Sequence, residues 1–358
     1  MAAFAFYRLP YADEYVRMVQ HEDNPEELYA YTALNGKSGF VFAPFAISEN
    51  TPILLLHPDE VRSEYVPVGI GEESTADRCF CAKTQSSVSK PSSSYTIDFA
   101  NFHAQLEQQV FRKIVLARCK DIETDASWQA ENLFYRACRC YPRMFVALVS
   151  TPQGGTWLMA TPEILLEGNG NQWRTMALAG TMKLEGELLN FDVPLGDVSK
   201  QISWATKDIQ EQRYVATYIT ECLEQFTRDF TEEGPYTCRA GNLVHLRSDF
   251  TFSLEAPQRL GNVLETLHPT PAVCGIPKDE TRRFILENEC APRKYYSGFA
   301  GPLNPAGETR LFVSLRCMEI FAHRYRLYAG GGLLKDSVEE REWEETEAKM
   351  ETMMRVIS

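Results

Sequence analysis

Short apolar stretches with polar neighbours recur along the chain, and each predicts a β-strand. Residues 39–43 and 52–56 flank a turn of Ser, Glu and Asn, which predicts an antiparallel pair. Residues 311–320 and 325–329 alternate in the same way and predict another pair. The remaining strands are predicted at 113–117, 156–160, 164–166 and 173–178.

A period near 3.6 residues predicts helices at 99–111, at about 199–226 and at about 338–357. Ser337, with Glu340 three residues further on, forms a capping box and predicts the start of the last helix. Because the strands come in runs and do not alternate strictly with helices, the order favours an α+β fold over a doubly wound sheet.

Residues 83–96 are rich in Ser and Lys and predict a loop or linker. We place a soft domain boundary there. Residues 1–95 are interpreted as an N-terminal portion integrated in the fold, and residues 97–358 as the domain with the more regular elements. No internal repeat is visible.

The last predicted helix carries acidic residues beside its apolar stripe. Glu342, Glu345 and Lys349 fall within about 60° of one another at 3.6 residues per turn. Oxygen ligands in such a position suit a hard cation. A solvated acidic flank with an i,i+4 pair between Glu345 and Lys349 is the alternative. The stripe itself consists of Trp343, Thr346, Met350, Met353 and Ile357.

The helix predicted at 199–226 places Asp208 and Glu211 in an otherwise apolar row. Its opposite face is also apolar, so the helix should be largely buried. A buried carboxylate needs a cation or hydrogen-bond donors, because desolvating a bare charge costs several kcal/mol or more. A metal ligand and a structural salt bridge are both compatible with this pattern.

Two single residues have settings suited to proton transfer. Lys113 opens an apolar strand, where a buried amine would have a lowered pKa and could act as a base. Glu163 lies between Pro162 and an apolar run, where a carboxyl would have a raised pKa and could act as an acid. The alternatives are a lysine that extends to solvent from the strand end and an exposed glutamate.

The run of three glycines at 330–332 follows a predicted strand and permits close backbone approach. It is not a P-loop, because no Gly-Lys-Ser/Thr follows. His245 and His268 have no ligand-like spacing, so neither is assigned a role from spacing.

Composition limits the possible partners. The chain has 358 residues, a net charge of −13 and a pI near 5.1, which argues against nucleic acid and anionic membranes as partners. An anionic small molecule could bind where Lys, Arg or a metal offsets the field. The ten cysteines show no zinc spacing. No stretch approaches the roughly 18 apolar residues of a membrane span. We therefore expect a soluble cytoplasmic protein with reduced thiols.

Nine short segments, spread over about residues 100–357, together resemble the chorismate-utilising enzymes, in the order found in that family. This family includes isochorismate, salicylate, anthranilate and aminodeoxychorismate synthases. The segments are 113–118 (KIVLAR), 161–166 (TPEILL), 177–181 (ALAGT), 207–212 (KDIQEQ), 267–275 (LHPTPAVCG), 296–298 (YSG), 315–317 (LRC), 327–330 (LYAG) and 342–349 (EWEETEAK).

The resemblance implies an α+β fold with a large, mostly antiparallel sheet system and outer helices, and it makes residues 97–358 the chorismate-binding domain. Lys113 and the run at 268–275, with Ala272, are similar to the isochorismate synthase branch. Salicylate synthase, an ammonia-dependent synthase and a non-catalytic scaffold are the alternatives. No glutaminase subunit is expected, and we expect a monomer. The product would feed menaquinone or siderophore synthesis.

By the same resemblance, Lys113 is the base that activates water for attack at C2 of chorismate, and Glu163 is the acid that protonates the leaving C4 hydroxyl. Lys113 would have to be neutral and Glu163 protonated at the start. The implied Mg²⁺ ligands are Glu211 and Glu345, with Glu342 contributing directly or through water. The implied substrate-binding residues are Gly180, His245, Ala272, Tyr296, Arg316, Tyr328, Gly330 and Lys349.

Overall fold

The computed structural model describes residues 2–22, 24–67, 90–124, 129–184, 202–240 and 243–358. Within these ranges the strands are, in chain order, β1 (Ala3–Arg8), β2 (Glu14–Gln20), β3 (Glu26–Leu28), β4 (Gly39–Ala43), β5 (Ile53–Leu56), β6 (Glu60–Tyr65), β7 (Lys113–Glu123), β8 (Phe145–Thr151), β9 (Gly155–Thr161), β10 (Ile164–Asn169), β11 (Gln172–Lys183), β12 (Phe230–Ala240), β13 (Leu243–Ser253), β14 (Gly275–Ile276), β15 (Phe299–Leu303), β16 (Glu308–Val313), β17 (Cys317–Ile320) and β18 (Arg324–Leu333).

These strands form two nine-stranded sheets. The first sheet has the order β14-β7-β18-β17-β9-β8-β1-β2-β6, and the second has the order β12-β13-β11-β10-β16-β15-β4-β5-β3. Every strand pair described is antiparallel. The prediction of an α+β fold with a mostly antiparallel sheet system is therefore confirmed.

The α-helices lie on the outer faces of the sheets. They are α1 (Ser93–Glu107), α2 (Ala130–Cys140), α3 (Thr206–Leu223), α4 (Leu260–Leu267), α5 (Lys278–Asn288) and α6 (Glu339–Ile357). None of the helices in the described ranges is long and apolar enough to cross a lipid bilayer.

The two sheets pack face to face around one apolar core. Phe40 and Phe42 of the second sheet pack in the same buried cluster as Ala147 and Trp157 of the first. On the far side of the second sheet, α3 and α4 cover a separate cluster, and on the far side of the first sheet α2 and α6 cover another. The layers are therefore helix, sheet, sheet, helix, with the apolar face of each helix turned inward.

Strands from both ends of the chain contribute to both sheets. In the first sheet β1 pairs with β8, and in the second β4 pairs with β15. The predicted pairing of residues 39–43 with the run after the turn is also present, as β4 with β5.

The segment predicted as one strand at 311–320 is in fact two strands in different sheets. β16 pairs with β10 and β15 in the second sheet, and β17 pairs with β9 and β18 in the first. The chain crosses between the sheets at 314–316, where Arg316 has φ of +45°. Periodicity missed the break because both strands are buried, so the apolar alternation continues across it.

The predicted helix bounds also needed correction. α1 begins at Ser93, where the Ser92 side chain accepts a hydrogen bond from the Tyr95 backbone N–H. The predicted linker at 83–96 is therefore wrong in its last four residues, while 83–89 lie outside the described residues. α3 begins only at Thr206, and of its predicted start, 199–201 are not described. α6 has Val338 as its N-cap, because the Ser337 hydroxyl accepts from the Leu334 N–H instead.

Candidate active site

A cavity between the two sheets brings together ten of the thirteen side chains or glycines singled out in the sequence. Its walls come from strands of both sheets and from α3 and α6. The ten residues that line it are Glu163, Gly180, Glu211, His245, Ala272, Tyr296, Arg316, Tyr328, Gly330 and Lys349. The other three, Lys113, Glu342 and Glu345, do not line it but contact residues near its wall.

Glu163 lies in the short turn that joins β9 to β10. Its backbone C=O accepts from the Val313 N–H at 3.0 Å, which holds the turn against β16. Only 3% of the residue is exposed, so the interpretation as an exposed strand-end glutamate is wrong. Burial raises the pKa of the Glu163 carboxyl to about 8, although Lys113, Lys349 and Arg316 act to lower it. At neutral pH this carboxyl carries a proton that it can donate into the cavity.

Arg316 places a buried cation in the same cavity. Among the described residues its hydrogen-bond partners are Thr352 and His245, and neither is a carboxylate. Burial lowers the pKa of the guanidinium to about 10, which still leaves it charged at neutral pH. A buried charge without a counter-ion is costly, so the cavity favours an anionic ligand.

His245 orients Arg316 and is itself neutral. Its Nδ1 lies 2.9 Å from the Gly180 carbonyl oxygen, and its Nε2 lies 2.9 Å from a guanidinium nitrogen of Arg316. A carbonyl only accepts and a guanidinium only donates, so the proton is on Nδ1 and Nε2 is the acceptor. Burial, followed by the charges of Arg316 and Lys349, lowers the His245 pKa to about 3.

Aromatic rings and a glycine form the opposite wall. Tyr296 stacks on Tyr328 with ring centroids 5.5 Å apart, and Tyr328 stacks on Trp157 at 5.2 Å. A Cβ at position 330 would lie 2.9 Å from the Tyr296 hydroxyl oxygen, so glycine is required there. Lys349 donates to the Gly330 carbonyl at 2.8 Å and thereby fixes its own position at the cavity wall.

Lys113 is fully buried at the start of β7 and does not extend to solvent. Its ammonium donates to the Pro271 carbonyl at 2.6 Å and forms an ion pair with Glu211 at 2.9 Å. Pro271 directly precedes Ala272 of the cavity wall, so Lys113 lies immediately behind it. The alternative of a lysine extending from a strand end is therefore wrong.

Each of the three predicted metal ligands is paired with a lysine. Glu211 pairs with Lys113, Glu342 with Lys207, and Glu345 with Lys349 at 2.7 Å. Within the described ranges, no three His, Cys, Asp or Glu side chains converge as a complete metal centre.

The acidic residues nevertheless have the oxygen donors that Mg²⁺ prefers. One carboxylate oxygen of Glu342, Oε2, is buried without a partner among the described residues. A Cβ at position 331 would lie 3.2 Å from that oxygen and 3.9 Å from Oε1 of Glu345, and a Cβ at 332 would collide with Glu211. The two glycines therefore let the carboxylates approach β18, Glu342 and Glu345 beside residue 331 and Glu211 beside residue 332. Carboxylate oxygens are the hard donors that suit Mg²⁺.

The pKa values of Glu342 and Glu345 are shifted in opposite directions. Burial, reinforced by the charge of Glu345, raises the pKa of Glu342 to about 7. Burial also acts to raise the pKa of Glu345, but Lys349 and Lys207 outweigh it and lower that pKa. The interpretation as a solvated acidic flank is wrong for Glu342, of which 1% is exposed, although the i,i+4 pair of Glu345 with Lys349 is present.

Sequence reasoning assigned no role to Lys207 or Thr181, although both lie in the segments quoted above. The Thr181 hydroxyl lies 3.4 Å from Nδ1 of His245, at the bulge of β11 that Gly180 creates with φ of +69°. Gly180 packs against Asp208, which lies beside the cavity and not in its lining. His268 lies away from the cavity, with edge contacts to Tyr31 and Phe299.

A cavity between two antiparallel sheets with a protonated carboxyl and a buried cation is the kind of site that suits a small anionic molecule and proton transfer. Comparison with known proteins identifies the particular family. The family described as chorismate binding enzyme matches residues 70–358, and this chain belongs to it.

Similar proteins include isochorismate synthases. The chain is 28% identical over 245 residues to isochorismate synthase EntC from Escherichia coli (strain K12), a match that covers 68% of the chain and 62% of EntC. It is 31% identical over 264 residues to isochorismate synthase DhbC from Bacillus subtilis (strain 168), covering 71% of the chain and 65% of DhbC. The chain thus spans a little under two thirds of the length of these curated relatives.

Solved structures share the fold. MenF, the menaquinone-specific isochorismate synthase from Escherichia coli, superposes with a TM-score of 0.78 at 21% identity, covering 99% of this chain and 89% of MenF. Anthranilate synthase component I from Streptococcus pneumoniae TIGR4 superposes with a TM-score of 0.66 at 15% identity, covering 99% and 91%.

The titration of Glu163 predicts how stability depends on pH. Its pKa is about 8 when folded against a reference value of 4.5, so the folded chain binds the extra proton between these pH values. Stability conferred by the protonated form is present below the lower value and is lost as pH rises through the upper one. Relative to Glu163→Gln, the wild type should lose up to a few kcal/mol between about pH 4.5 and pH 9. Urea denaturation across this range measures it, and parallel curves for the two proteins would contradict the assignment.

Proposed function

We propose that this protein is an isochorismate synthase, an isomerase that converts chorismate to isochorismate with Mg²⁺. The observation that carries the proposal is the presence, in one cavity, of a protonated carboxyl at Glu163 and a buried guanidinium at Arg316 that has no carboxylate partner among the residues described. Chorismate is a dicarboxylate with a ring hydroxyl that leaves as water only if it is protonated. The cavity supplies a cation for the first feature and a proton for the second.

Proton transfer is assigned to two residues. Glu163 protonates the departing C4 hydroxyl, since a neutral carboxyl is the form that can donate. Lys113 activates the water that attacks C2, from its position behind Ala272. To act as a base, Lys113 must first lose a proton to solvent and become a neutral amine, so the ion pair with Glu211 has to open before the reaction. The amine then accepts a proton from the attacking water, and Glu163 supplies the proton that leaves with the C4 hydroxyl as water.

The two substrate carboxylates are assigned to two sets of cavity residues. Arg316 binds the enolpyruvyl carboxylate, together with Tyr296 and the Gly330 N–H, because a guanidinium fork matches a planar carboxylate. His245 holds the fork in place through its Nε2. Lys349, Gly180 and His245, which also line the cavity, are assigned to the ring carboxylate, and Tyr328 and Ala272 to the wall beside the ring.

The Mg²⁺ ion is assigned to Glu211 and Glu345, with Glu342 as a further ligand. Glu342 supports this through a buried oxygen that has no partner among the described residues, and Gly331 and Gly332 let the carboxylates approach β18. When bound, the ion would neutralise the ring carboxylate and hold it in position. We propose that the chain needs no glutaminase subunit and that its product supplies menaquinone or siderophore synthesis.

The product test decides the function. Purified protein, chorismate and MgCl₂ should give isochorismate, with little salicylate, on chromatographic separation. Added ammonium salts should leave the product unchanged, because Lys113 is placed to activate water. Abundant salicylate would instead identify a salicylate synthase, and anthranilate or aminodeoxychorismate would identify an ammonia-using enzyme.

Removal of either proton-transfer group should slow turnover without unfolding the chain. Lys113→Ala and Glu163→Gln should each lower kcat by about 10²-fold or more, since positioned acids and bases contribute that much. Steady-state kinetics measure the loss, and thermal melts check the fold. Near-normal kcat in a folded variant would rule out its assigned role.

Metal dependence should be complete and reversible. Activity should disappear with EDTA and return with added Mg²⁺. Glu345→Gln should melt like the wild type but require far more Mg²⁺, because a neutral amide is a poorer ligand than a carboxylate. Full activity in metal-free buffer would exclude the metal site.

A further inference from the structure

Arg118 has no role in the chemistry above, although it ends one of the segments quoted from the sequence. It lies on β7, opposite Ala329 of β18, and is 9% exposed. It does not line the cavity. Arg118 comes five residues after Lys113, and side chains alternate between the two faces of a strand. Its side chain therefore lies on the opposite face of the sheet from Lys113, toward α6. A buried guanidinium in that position needs partners, and α6 supplies them.

Three contacts join Arg118 to α6. Its Nε donates to the Thr346 hydroxyl oxygen at 2.7 Å, and a terminal nitrogen forms an ion pair with the Glu347 carboxylate. Its guanidinium carbon lies 3.6 Å from the centroid of the Trp343 ring. Lys120, two residues further along β7, also reaches Glu347 at 3.1 Å. The Arg118 guanidinium thus uses both its planar set of N–H donors and its flat face, and a lysine ammonium has neither.

The partners of Arg118 alternate with the acidic residues along the same two turns of helix. Trp343 directly follows Glu342, and Thr346 directly follows Glu345. At 100° per residue, a rotation of α6 about its axis would swing the carboxylates of Glu342 and Glu345 away from Gly331, which they now approach. The three contacts fix both that rotation and the distance of the helix from β7.

β7 also contacts α3, the other helix that carries a predicted metal ligand, through an ion pair. Lys113 on its other face is paired with Glu211 of α3. A single strand therefore anchors both helices that carry acidic residues, each through a buried cation, and β18 beside it carries the glycines.

We propose that Arg118 is a positioning residue for the Mg²⁺ site, which sets the rotation of α6 so that Glu342 and Glu345 face Glu211. This rests on the metal assignment made under the proposed function. Arg118 touches neither substrate nor metal and acts only through α6. A purely structural role would lower the melting temperature and leave the affinity for metal unchanged.

The test is a titration of metal binding without substrate. Mn²⁺ is added to purified protein, free Mn²⁺ is counted by EPR, and Mg²⁺ is added as competitor. Arg118→Lys should raise the Kd for Mn²⁺ about tenfold or more. In activity assays it should raise the Mg²⁺ concentration for half-maximal rate, with kcat at saturating Mg²⁺ within about threefold of the wild type.

Arg326→Lys is the matched control. Arg326 makes an equivalent two-bond fork, at 2.7 and 2.8 Å, to Asp121 across the same two strands, but at the end away from α6. Its Kd for Mn²⁺ should stay within twofold of the wild type. Thr346→Val is a second probe that keeps Arg118 and removes only its acceptor, and it should weaken binding severalfold even if Arg118→Lys fails to fold.

The outcomes distinguish a failure of the Arg118 assignment from a failure of the metal assignment. If the wild type binds Mn²⁺ and both Arg118→Lys and Thr346→Val bind it equally well, the role of Arg118 is overturned while the metal site stands. If the wild type itself binds neither Mn²⁺ nor Mg²⁺, the metal assignment fails and this proposal fails with it. Equal weakening by Arg326→Lys would show a general loss of sheet stability and would also overturn it.

Discussion

The register between β7 and β18 is the constraint on which the site depends. The two strands pair from Arg324 opposite Glu123 to Leu333 opposite Ile114, which sets the glycine run 330–332 opposite 115–117. A slip of one residue would turn every side chain on one strand to the other face of the sheet. Lys113 would then leave Glu211, and side chains would occupy the space beside the Tyr296 hydroxyl and the carboxylates of α6.

The largest energetic cost of this site is the burial of charged side chains. The chain is acidic, with a net charge of −13, yet its cavity is lined by Arg316 and Lys349. Glu211 of α3 and Glu342 and Glu345 of α6 are each paired with a lysine at short range. Arg316 has no carboxylate partner in the described part of the chain, and its neutral partner His245 cannot compensate its charge. The net charge of the chain therefore does not predict the charge of the molecule that the cavity favours. The local field of the buried Arg316 guanidinium favours an anion there.

The error at residues 311–320 arose because the local pattern carries no information on which sheet a strand joins. Residues 311–320 alternate without interruption, but the chain changes sheets at Arg316. That crossing gives Arg316 its positive φ and places its guanidinium beside His245. Ser337 illustrates the same limit on a smaller scale, because its hydroxyl could cap either the helix or the preceding turn, and the turn is the partner it has.

The sequence by itself determined the α+β class, the approximate positions of half of the described strands and the segments that resemble the chorismate-utilising family, because these depend on local periodicity and on the identity of short motifs. It also singled out Lys113, Glu163 and Glu211, but it left each open between a chemical and a structural interpretation. Only the tertiary structure decided that Glu163 is buried, that His245 holds its proton on Nδ1, and that Arg118 connects β7 to α6. These properties depend on groups far apart in the chain, since desolvation and hydrogen-bond partners are set by what packs around a residue and not by its neighbours in sequence.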